Sequence, residues 1–432
     1  MGRRKQKTVE VDQLDDSDAD SVESGSTVLS DHVLAHEMES VDSQEFSLEK
    51  YLDALYEKRG STREMALAGL VSAFEGHVLL DFIEDRCITL LHQYITSLKR
   101  GSVKEACLAA RAVGLLSITG GTGSNTHEIM EESIPPLSRV LVSGPDAVRI
   151  FVLDSLAIVT FVGSNNWEET DRIMKVIWEI IHPKSLSKAG TITKPSSAVL
   201  VAALCAWSFL LTTLSGWRVD LDMWTEILSF FCNLLEKGDR AVRIAAGEAI
   251  AVIFEIVIAG KLSTVTNDLE SLEDMPSKPK WFVYLLSLKE KITSLVSDLS
   301  MEAGGKGTDK KCLNAQRDTF QKIYDYLMDG KRPETSLIVS KKQGVLTTST
   351  WTKLIQLNFL KHFLGSGFLK HAQDNELLHN VFDVIPHAES SLSASQKRIA
   401  RSSGDRMRTQ ELKKDRHLAQ LRKGALLFNA HN

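Results

Sequence analysis

Apolar and polar positions alternate with helical spacing over most of the chain, beginning at Phe46. Leu48, Leu52 and Leu55 recur every three or four residues, which places their side chains on one face of an α-helix. Similar stretches follow one another as far as residue 299 and are separated by short runs rich in Gly, Ser and Thr. The pattern predicts a domain of consecutive helices over residues 46–300.

Four of these helices open with related sequences, which begin at Thr62, Val103, Val148 and Val242. The starts are 41, 45 and 94 residues apart, and a fifth apolar stretch from Ala198 fills the last gap. A period of about 40 to 47 residues is typical of HEAT and armadillo repeats, whose units must stack because none covers its own apolar face. We therefore predict an all-α fold, a HEAT/armadillo-like helical-repeat superhelix.

The second residue of each related sequence is basic: Arg63, Lys104, Arg149 and Arg243. Such a series is either a row that binds a ligand or a structural ladder of hydrogen bonds between repeats. The recurrence at one fixed repeat position favours the structural ladder.

Two further regions follow the predicted repeat domain. Residues 301–312 are polar and glycine-rich, which is typical of a linker. Residues 313–386 predict a small C-terminal helical domain, with helices at 316–328, 351–364 and 375–384. The runs 337–339 and 344–346 are short enough to pair as a hairpin.

The two ends of the chain carry opposite charge. Residues 9–49 contain thirteen acidic residues and no Lys or Arg, and residues 397–423 contain ten basic and three acidic residues. Such composition buries too little apolar surface to offset the entropy of ordering, so we predict a disordered acidic tail at 1–45 and a disordered basic tail at 387–432.

Composition is that of a globular protein, because 43% of the 432 residues are apolar and 25% are charged. The five cysteines are far apart and form no Cys-x-x-Cys pair, which favours reduced thiols in the nucleus and cytoplasm. No apolar leader follows the basic N-terminus, so secretion is not expected. The uncharged stretch 195–217 is long enough to span a membrane, but its helix-capping Pro-Ser-Ser start and its place among similar helices favour a buried helix.

Motifs for catalysis or cofactor binding are weak. The glycine cluster at 120–124 lacks the Gly-Lys-Ser/Thr ending of a phosphate-binding loop, and His32 and His36 lie in the acidic tail. Neither a nucleophile with its base nor a carboxylate pair stands out. The sequence predicts no enzyme, no cofactor, no metal site and no small-molecule substrate.

The basic tail is the strongest local functional signal, because clustered cations bind phosphate backbones through counterion release. Contact with RNA and a solvated tail or nuclear localisation signal remain equally open interpretations. Ser17 lies within an acidic run and is a candidate phosphorylation site. The candidate RNA-binding residues are Lys397, Arg398, Arg401, Arg406, Arg408, Lys413, Lys414, Arg416, Arg422 and Lys423.

Two stretches resemble the interferon-related developmental regulator family. The first runs from Leu55 to Leu67 (LYEKRGSTREMAL) and the second from Phe363 to Leu378 (FLGSGFLKHAQDNELL). The matched regions span about residues 46–386, in the order of that family's large and small domains. The resemblance implies a helical-repeat regulator without catalytic activity, with links to transcriptional co-regulation through histone deacetylase co-repressor complexes and to ribosome association.

We therefore expect a non-catalytic regulatory scaffold, a transcriptional co-regulator whose concave helical surface binds protein partners of nuclear complexes. The alternative is a translation regulator that uses the basic tail to associate with the ribosome or with RNA. Both hypotheses predict a protein of the nucleus and cytoplasm that does not enter a membrane.

Overall fold

The computed structural model describes residues 47–121, 125–183, 194–214, 221–258, 280–304, 309–340 and 344–383, and the structural statements below refer to these residues. The chain divides into two units, Met1–Glu49 and Lys50–Asn432. Every element named below belongs to the second unit.

Helices dominate the second unit and precede a short hairpin and three further helices. The elements are α1 (Gly60–Gly76), α2 (Leu80–Ile83), α3 (Cys87–Arg100), α4 (Val103–Gly120), α5 (Thr126–Ser143), α6 (Asp146–Gly163), α7 (Trp167–Ile181), α8 (Ser197–Leu211), α9 (Leu221–Lys237), α10 (Arg240–Ile253), α11 (Lys280–Ser300), α12 (Lys310–Asp329), β1 (Thr335–Ser340), β2 (Gly344–Thr348), α13 (Trp351–Leu364), α14 (Phe368–Asp374) and α15 (Glu376–Phe382). A π-helical turn, Phe254–Ile258, extends α10.

The helices α1, α4, α6, α8, α10 and α12 form one row, which we call the main row, in which each helix packs against the next. Helices α3, α5, α7, α9 and α11 each pack against the main-row helix that follows them. The first five main-row helices start at residues 60, 103, 146, 197 and 240, so the steps are 43, 43, 51 and 43 residues. The predicted all-α helical-repeat fold is confirmed.

Short polar side chains set where the main-row helices begin. Ser102, Ser196 and Asp239 each accept a hydrogen bond from a backbone N–H of the first turn, which would otherwise lack a partner. Small side chains follow inside the row: Ala110, Ala157, Ala203 and Ala246 are fully buried. Alanine lets neighbouring helix backbones approach closely while its methyl group leaves water.

Residues 197–211 of the stretch considered as a membrane span form the fifteen-residue helix α8 within the row. Most of its side chains are buried against neighbouring helices. Across the described ranges, no helix is both long and apolar enough to cross a membrane.

The hairpin predicted at 337–339 and 344–346 is confirmed. Strands β1 and β2 are antiparallel, with Leu337 opposite Leu346 and Ile338 opposite Val345. Before it, α12 ends at Asp329 and is followed by Gly330, whose φ of 66° closes the helix in the left-handed conformation that glycine adopts without strain. Helix α12, which the sequence assigned to the C-terminal domain, packs against both α10 and α11.

Candidate protein-binding surface

Helix α13 lies on one face of the main row, which we call the inner face. The face is defined by the contacts that α13 makes with α4, α6, α8 and α10. We call residues 351–382, which comprise α13 to α15, the C-terminal module. The contacts between the module and the inner face decide which part of that face stays open.

The first turn of α13 is held by a carboxylate from the π-helical turn after α10. Glu255 accepts hydrogen bonds from the backbone N–H groups of Trp351 and Thr352, at 2.9 and 2.7 Å. The Thr352 hydroxyl donates a third bond, at 2.7 Å. A negative charge at a helix N-terminus also meets the positive end of the helix dipole, so Glu255 fixes the start of α13 on the inner face.

The middle of α13 packs on α8 through a ring pair and a buried polar contact. The rings of Phe359 and Phe209 stack with their centroids 4.2 Å apart and their planes 11° from parallel. One helical turn away, the Gln356 amide donates to the Thr212 hydroxyl at 3.0 Å. Both contacts are buried, and together they set the register of α13 against α8.

The last turn of α13 meets α4 and α1. The Arg111 guanidinium donates to Glu75 at 2.5 Å and to the Phe363 carbonyl at 2.8 Å, which binds the end of α13 to both helices. The ring of Phe363 lies so close to Gly114 that a Cβ on this glycine would sit 2.6 Å from it. This crossing therefore requires glycine at position 114.

The segments after α13 bind backbone carbonyls at the ends of α1 and α4. The buried His371 ring is hydrogen-bonded to the Phe74 carbonyl at 2.8 Å, and Asn375 donates to the Ile118 carbonyl at 3.0 Å. Burial lowers the pKa of His371, which favours the neutral ring. These bonds satisfy carbonyls at helix ends, which have no partner within their own helix.

The C-terminal module leaves part of the inner face uncovered. Residues at positions 2, 5, 9, 13 and 16 from the start of a helix lie on one side of it. In α8, Phe209 is at position 13 and Thr212 follows at position 16; in α10 and its π-helical extension, Glu255 is at position 16. All three side chains contact α13. Positions 2 and 5 of α6, α8 and α10 lie beyond α13 and are exposed or half-buried. We call this open surface the inner strip. It consists of Ala147, Ile150, Ala198, Val201, Ala241 and Ile244, together with Phe151 at the adjacent position 6 of α6.

Carboxylates mark the boundary between the inner strip and α13. Position 9 is Asp154 in α6, Cys205 in α8 and Glu248 in α10. The His362 ring lies 3.8 Å from Asp154, and this carboxylate raises the pKa of the histidine. Glu248 makes no hydrogen bond or ion pair with any described residue, and burial raises its pKa to about 7. We call Asp154 and Glu248 the acidic edge.

We expect replacement of the Glu248 carboxylate to stabilise the protein above neutral pH. Because the pKa of Glu248 is raised in the folded state, the folded protein binds more protons than the unfolded chain between about pH 4.5 and 7. The free energy of unfolding therefore falls as pH rises through that window. In a chain that ends at residue 390 and so lacks the basic tail, Glu248→Gln removes this loss and should raise the free energy of unfolding at pH 8 by about 1 to 2 kcal/mol, with little change at pH 4.5. Urea denaturation at both pH values measures the difference.

Glu179→Gln, at an exposed position of α7, is the matched control and should leave the pH dependence unchanged. A Glu248→Gln protein that loses stability equally at both pH values would show that the carboxylate has a partner.

The first arginine of the predicted ladder binds the next repeat. Arg63 donates to the Glu105 carboxylate at 2.7 and 3.0 Å, and to the carbonyls of Glu57 and Lys58 at 2.9 and 2.8 Å. Burial alone would raise the pKa of Glu105, but the hydrogen bonds from Arg63 hold it below its ordinary value. Arg63 therefore fits the structural interpretation.

Two further members bind the end of the helix before their own. Arg149 donates to the Leu141 carbonyl at 2.9 Å, and Arg243 donates to the Glu236 carbonyl at 3.5 Å. Arg243 also pairs at 3.5 Å with Glu302, which lies just after the end of α11. Cations complement the negative ends of helices, so these arginines join consecutive helices.

Lys104 does not belong to this series. Helix α4 is capped by Ser102, so the residue at the helix position of Arg63 and Arg149 is Ala106. The sequence alignment on Val103 is therefore two residues out of register. Lys104 is 74% exposed at its side chain and lies 3.6 Å from Glu64.

Most residues that the sequence singled out for function lie outside the described residues. These are Ser17, His32, His36 and all ten candidate RNA-binding residues of the basic tail, for which the predictions stay predictions. The five cysteines are all described, and each is a free thiol. Among described residues, no group of three His, Cys, Asp or Glu side chains is placed to hold a metal ion.

Sequence reasoning missed the inner strip and the contacts that bound it. One signal was present: Ala147, Ala198 and Ala241 are each the second residue of a main-row helix, and Ile150, Val201 and Ile244 are each the fifth. Alignment of the helices by their N-caps would have revealed that these positions are apolar in three successive repeats.

Comparison with known proteins finds a family and several relatives. The model of the family described as interferon-related developmental regulator matches residues 16–328. Interferon-related developmental regulator 1 of Sus scrofa is 26% identical over 349 residues, which cover 79% of this chain and 72% of the relative. Interferon-related developmental regulator 2 of Mus musculus is 29% identical over 362 residues, which cover 81% of this chain and 76% of the relative.

Proposed function

Because the chain belongs to the interferon-related developmental regulator family, we propose that it is a non-catalytic regulatory scaffold, a transcriptional co-regulator that binds protein partners of nuclear complexes. The observation that carries the proposal is the inner strip. Its apolar side chains come from three successive helices held in fixed register by the module and by the repeat contacts. A row of modest apolar contacts across parallel helices suits the docking of a partner segment.

The location of the strip supports a binding role over a purely structural one. An apolar surface that served only folding would be covered, as the rest of the inner face is by α13. Ile150, Phe151, Val201 and Ile244 instead remain half-buried, and the alanines beside them are exposed. Such residues gain further burial when a partner arrives, at about 25 cal/mol for each Å² of apolar surface.

We expect charges in the inner strip to abolish partner binding. The double variant Val201→Glu and Ile244→Glu, in the full chain, would present carboxylates where a partner has to exclude water. Recovery of histone deacetylase co-repressor subunits from nuclear extract should fall at least about tenfold, which corresponds to about 1.4 kcal/mol. Thermal unfolding of the purified variant checks that the fold survives.

The matched control places the same charge on exposed apolar positions outside the strip. Val142→Glu with Met223→Glu fits, since these side chains are 75% and 44% exposed. Equal recovery of co-repressor subunits by both double variants would contradict a co-regulator that works through the inner strip. A wild-type protein that recovers no co-repressor subunits would contradict it as well.

A second function is favoured by charge alone. The ten basic residues between 397 and 423 suit a ribosome- or RNA-associated translation regulator. Substitution of Lys413, Lys414 and Arg416 by Gln should then reduce the slope of log affinity for single-stranded RNA against log salt by about 2. An unchanged slope in a filter-binding titration would show that these residues of the tail do not contact RNA phosphates.

A further inference from the structure

The described structure leaves an apolar surface with acids at its border, and the chain carries a basic segment that the described residues do not include. We propose that residues 397–432 of the basic tail dock on the inner strip of their own chain and must be displaced before a partner binds there. The inference concerns the free protein and stands whichever partner the strip serves.

Charge complementarity is the first argument. Asp154 and Glu248 border the strip, and Glu248 makes no hydrogen bond or ion pair with the described residues. A half-buried carboxylate without a cation is unfavourable, which its raised pKa reflects. Lys and Arg side chains supply such a cation while their methylene stems cover apolar surface.

The chemistry of the tail matches the strip in its apolar part as well. Leu412, Leu418 and Leu421 lie among the basic residues, and Leu426, Leu427 and Phe428 follow them. The strip offers Ile150, Val201 and Ile244 at equivalent positions of three parallel helices. A segment that contains both leucines and cations can bury its leucines on the inner strip and pair its cations with the acidic edge.

The tail leaves the described structure close to the inner face. Lys353, in the first turn of α13, donates to the Val381 carbonyl, and its ammonium lies 3.8 Å from Asp383, where the described chain ends. Asp154 lies beside His362, nine residues further along α13, or about 14 Å of helix rise. The fourteen residues from 383 to 397 can span roughly 45 Å. The tail therefore reaches the strip without strain.

Thiol labelling of the free, purified full chain tests the docking. The Ala241→Cys variant places a probe in the strip, on an exposed residue of the first turn of α10, where the helix dipole favours the reactive thiolate. The Val142→Cys variant places a control probe on α5, at a position that is 75% exposed. Each probe is followed by peptide mass spectrometry in the full chain and in a chain that ends at residue 390.

Removal of the tail should raise the labelling rate of the Ala241→Cys probe at least about fivefold. The labelling rate of the Val142→Cys probe should change less than about twofold. In the full chain, 1 M salt should raise the Ala241→Cys rate toward that of the shortened chain, because salt screens exposed ion pairs. A rate that is the same with and without the tail overturns the proposal, whatever binds the strip in cells.

The outcome is separable from that of the proposed function. Labelling uses the protein alone, whereas recovery of co-repressor subunits needs the extract. A docked tail, with no co-repressor subunits recovered even by the chain that ends at residue 390, would leave the inference standing and contradict the co-regulator proposal. An undocked tail with recovered subunits would do the opposite.

Discussion

Gly367→Ala should destabilise the protein by about 3 kcal/mol, the largest effect expected of an added methyl group at any of the described glycines. Gly367 joins α13 to α14 and packs against the end of α1, where an added Cβ would lie 1.7 Å from the Glu75 carbonyl oxygen. The obstacle is backbone within a packed helix, so it cannot rotate away. Urea denaturation gives the free energy of unfolding, and hydrogen exchange over 351–382 reports whether the module loosens.

Gly76→Ala is the matched control, because the same methyl group would meet no atom within 4 Å at the end of α1. It should change stability by less than about 0.5 kcal/mol, or raise it slightly by restricting the unfolded chain. If Gly367→Ala is as stable as Gly76→Ala, the close contact between the module and α1 does not exist in solution.

Glu255→Ala should cost about 2 kcal/mol and weaken the start of α13 specifically. The substitution removes the acceptor of two backbone N–H groups and one hydroxyl, at distances of 2.7 to 2.9 Å. It also removes a negative charge from the N-terminus of a helix. Hydrogen exchange should accelerate most at Trp351 and Thr352, because their amides lose their partner.

Glu290→Ala, at an exposed position of α11, removes a carboxylate without those bonds and should be nearly neutral. Glu255→Gln should fall between the two, because its amide oxygen keeps an acceptor but not the charge. Identical exchange at Trp351 in Glu255→Ala and Glu290→Ala would exclude the capping role.

The helices and the hairpin could be predicted from the sequence because each is set by residues that are close together in the chain. The spacing of apolar residues predicts the main-row helices, and polar caps such as Ser102 and Asp239 fix their starts. The hairpin was predictable from two short apolar runs near a glycine. The alignment of α4 with the other repeats was wrong, because the sequence at Val103 resembles the other repeat starts. The N-cap Ser102 lies one residue before Val103, whereas the N-caps of α1, α6 and α10 lie three residues before the aligned position.

The docking of the C-terminal module did not follow from sequence. His371 bonds a carbonyl 297 residues away, Asn375 bonds one 257 residues away, and Glu255 caps a helix 96 residues later. Backbone carbonyls are the same at every position, so nothing in the sequence indicates which one a side chain meets. Gly114 and Gly367 are close-contact positions only because of what packs on them, and neither looks unusual in sequence.

This arrangement changes what the expected concave docking surface can offer. Helix α13 occupies part of the inner face, through Phe359 on Phe209 and Gln356 on Thr212. The inner strip is the part that remains open, and its width is set by the position of α13. A substitution that loosens the module, such as Gly367→Ala, should therefore also alter partner binding at the strip.

The most direct test of a module fixed on the inner face is a double-mutant cycle on Phe209 and Phe359. With Phe209→Leu, Phe359→Leu and the double variant, the account predicts a coupling free energy of about 0.5 to 1.5 kcal/mol, as for stacked aromatic rings in contact. Strictly additive losses, with a coupling indistinguishable from zero, would mean that α13 does not lie on α8 and would contradict the account.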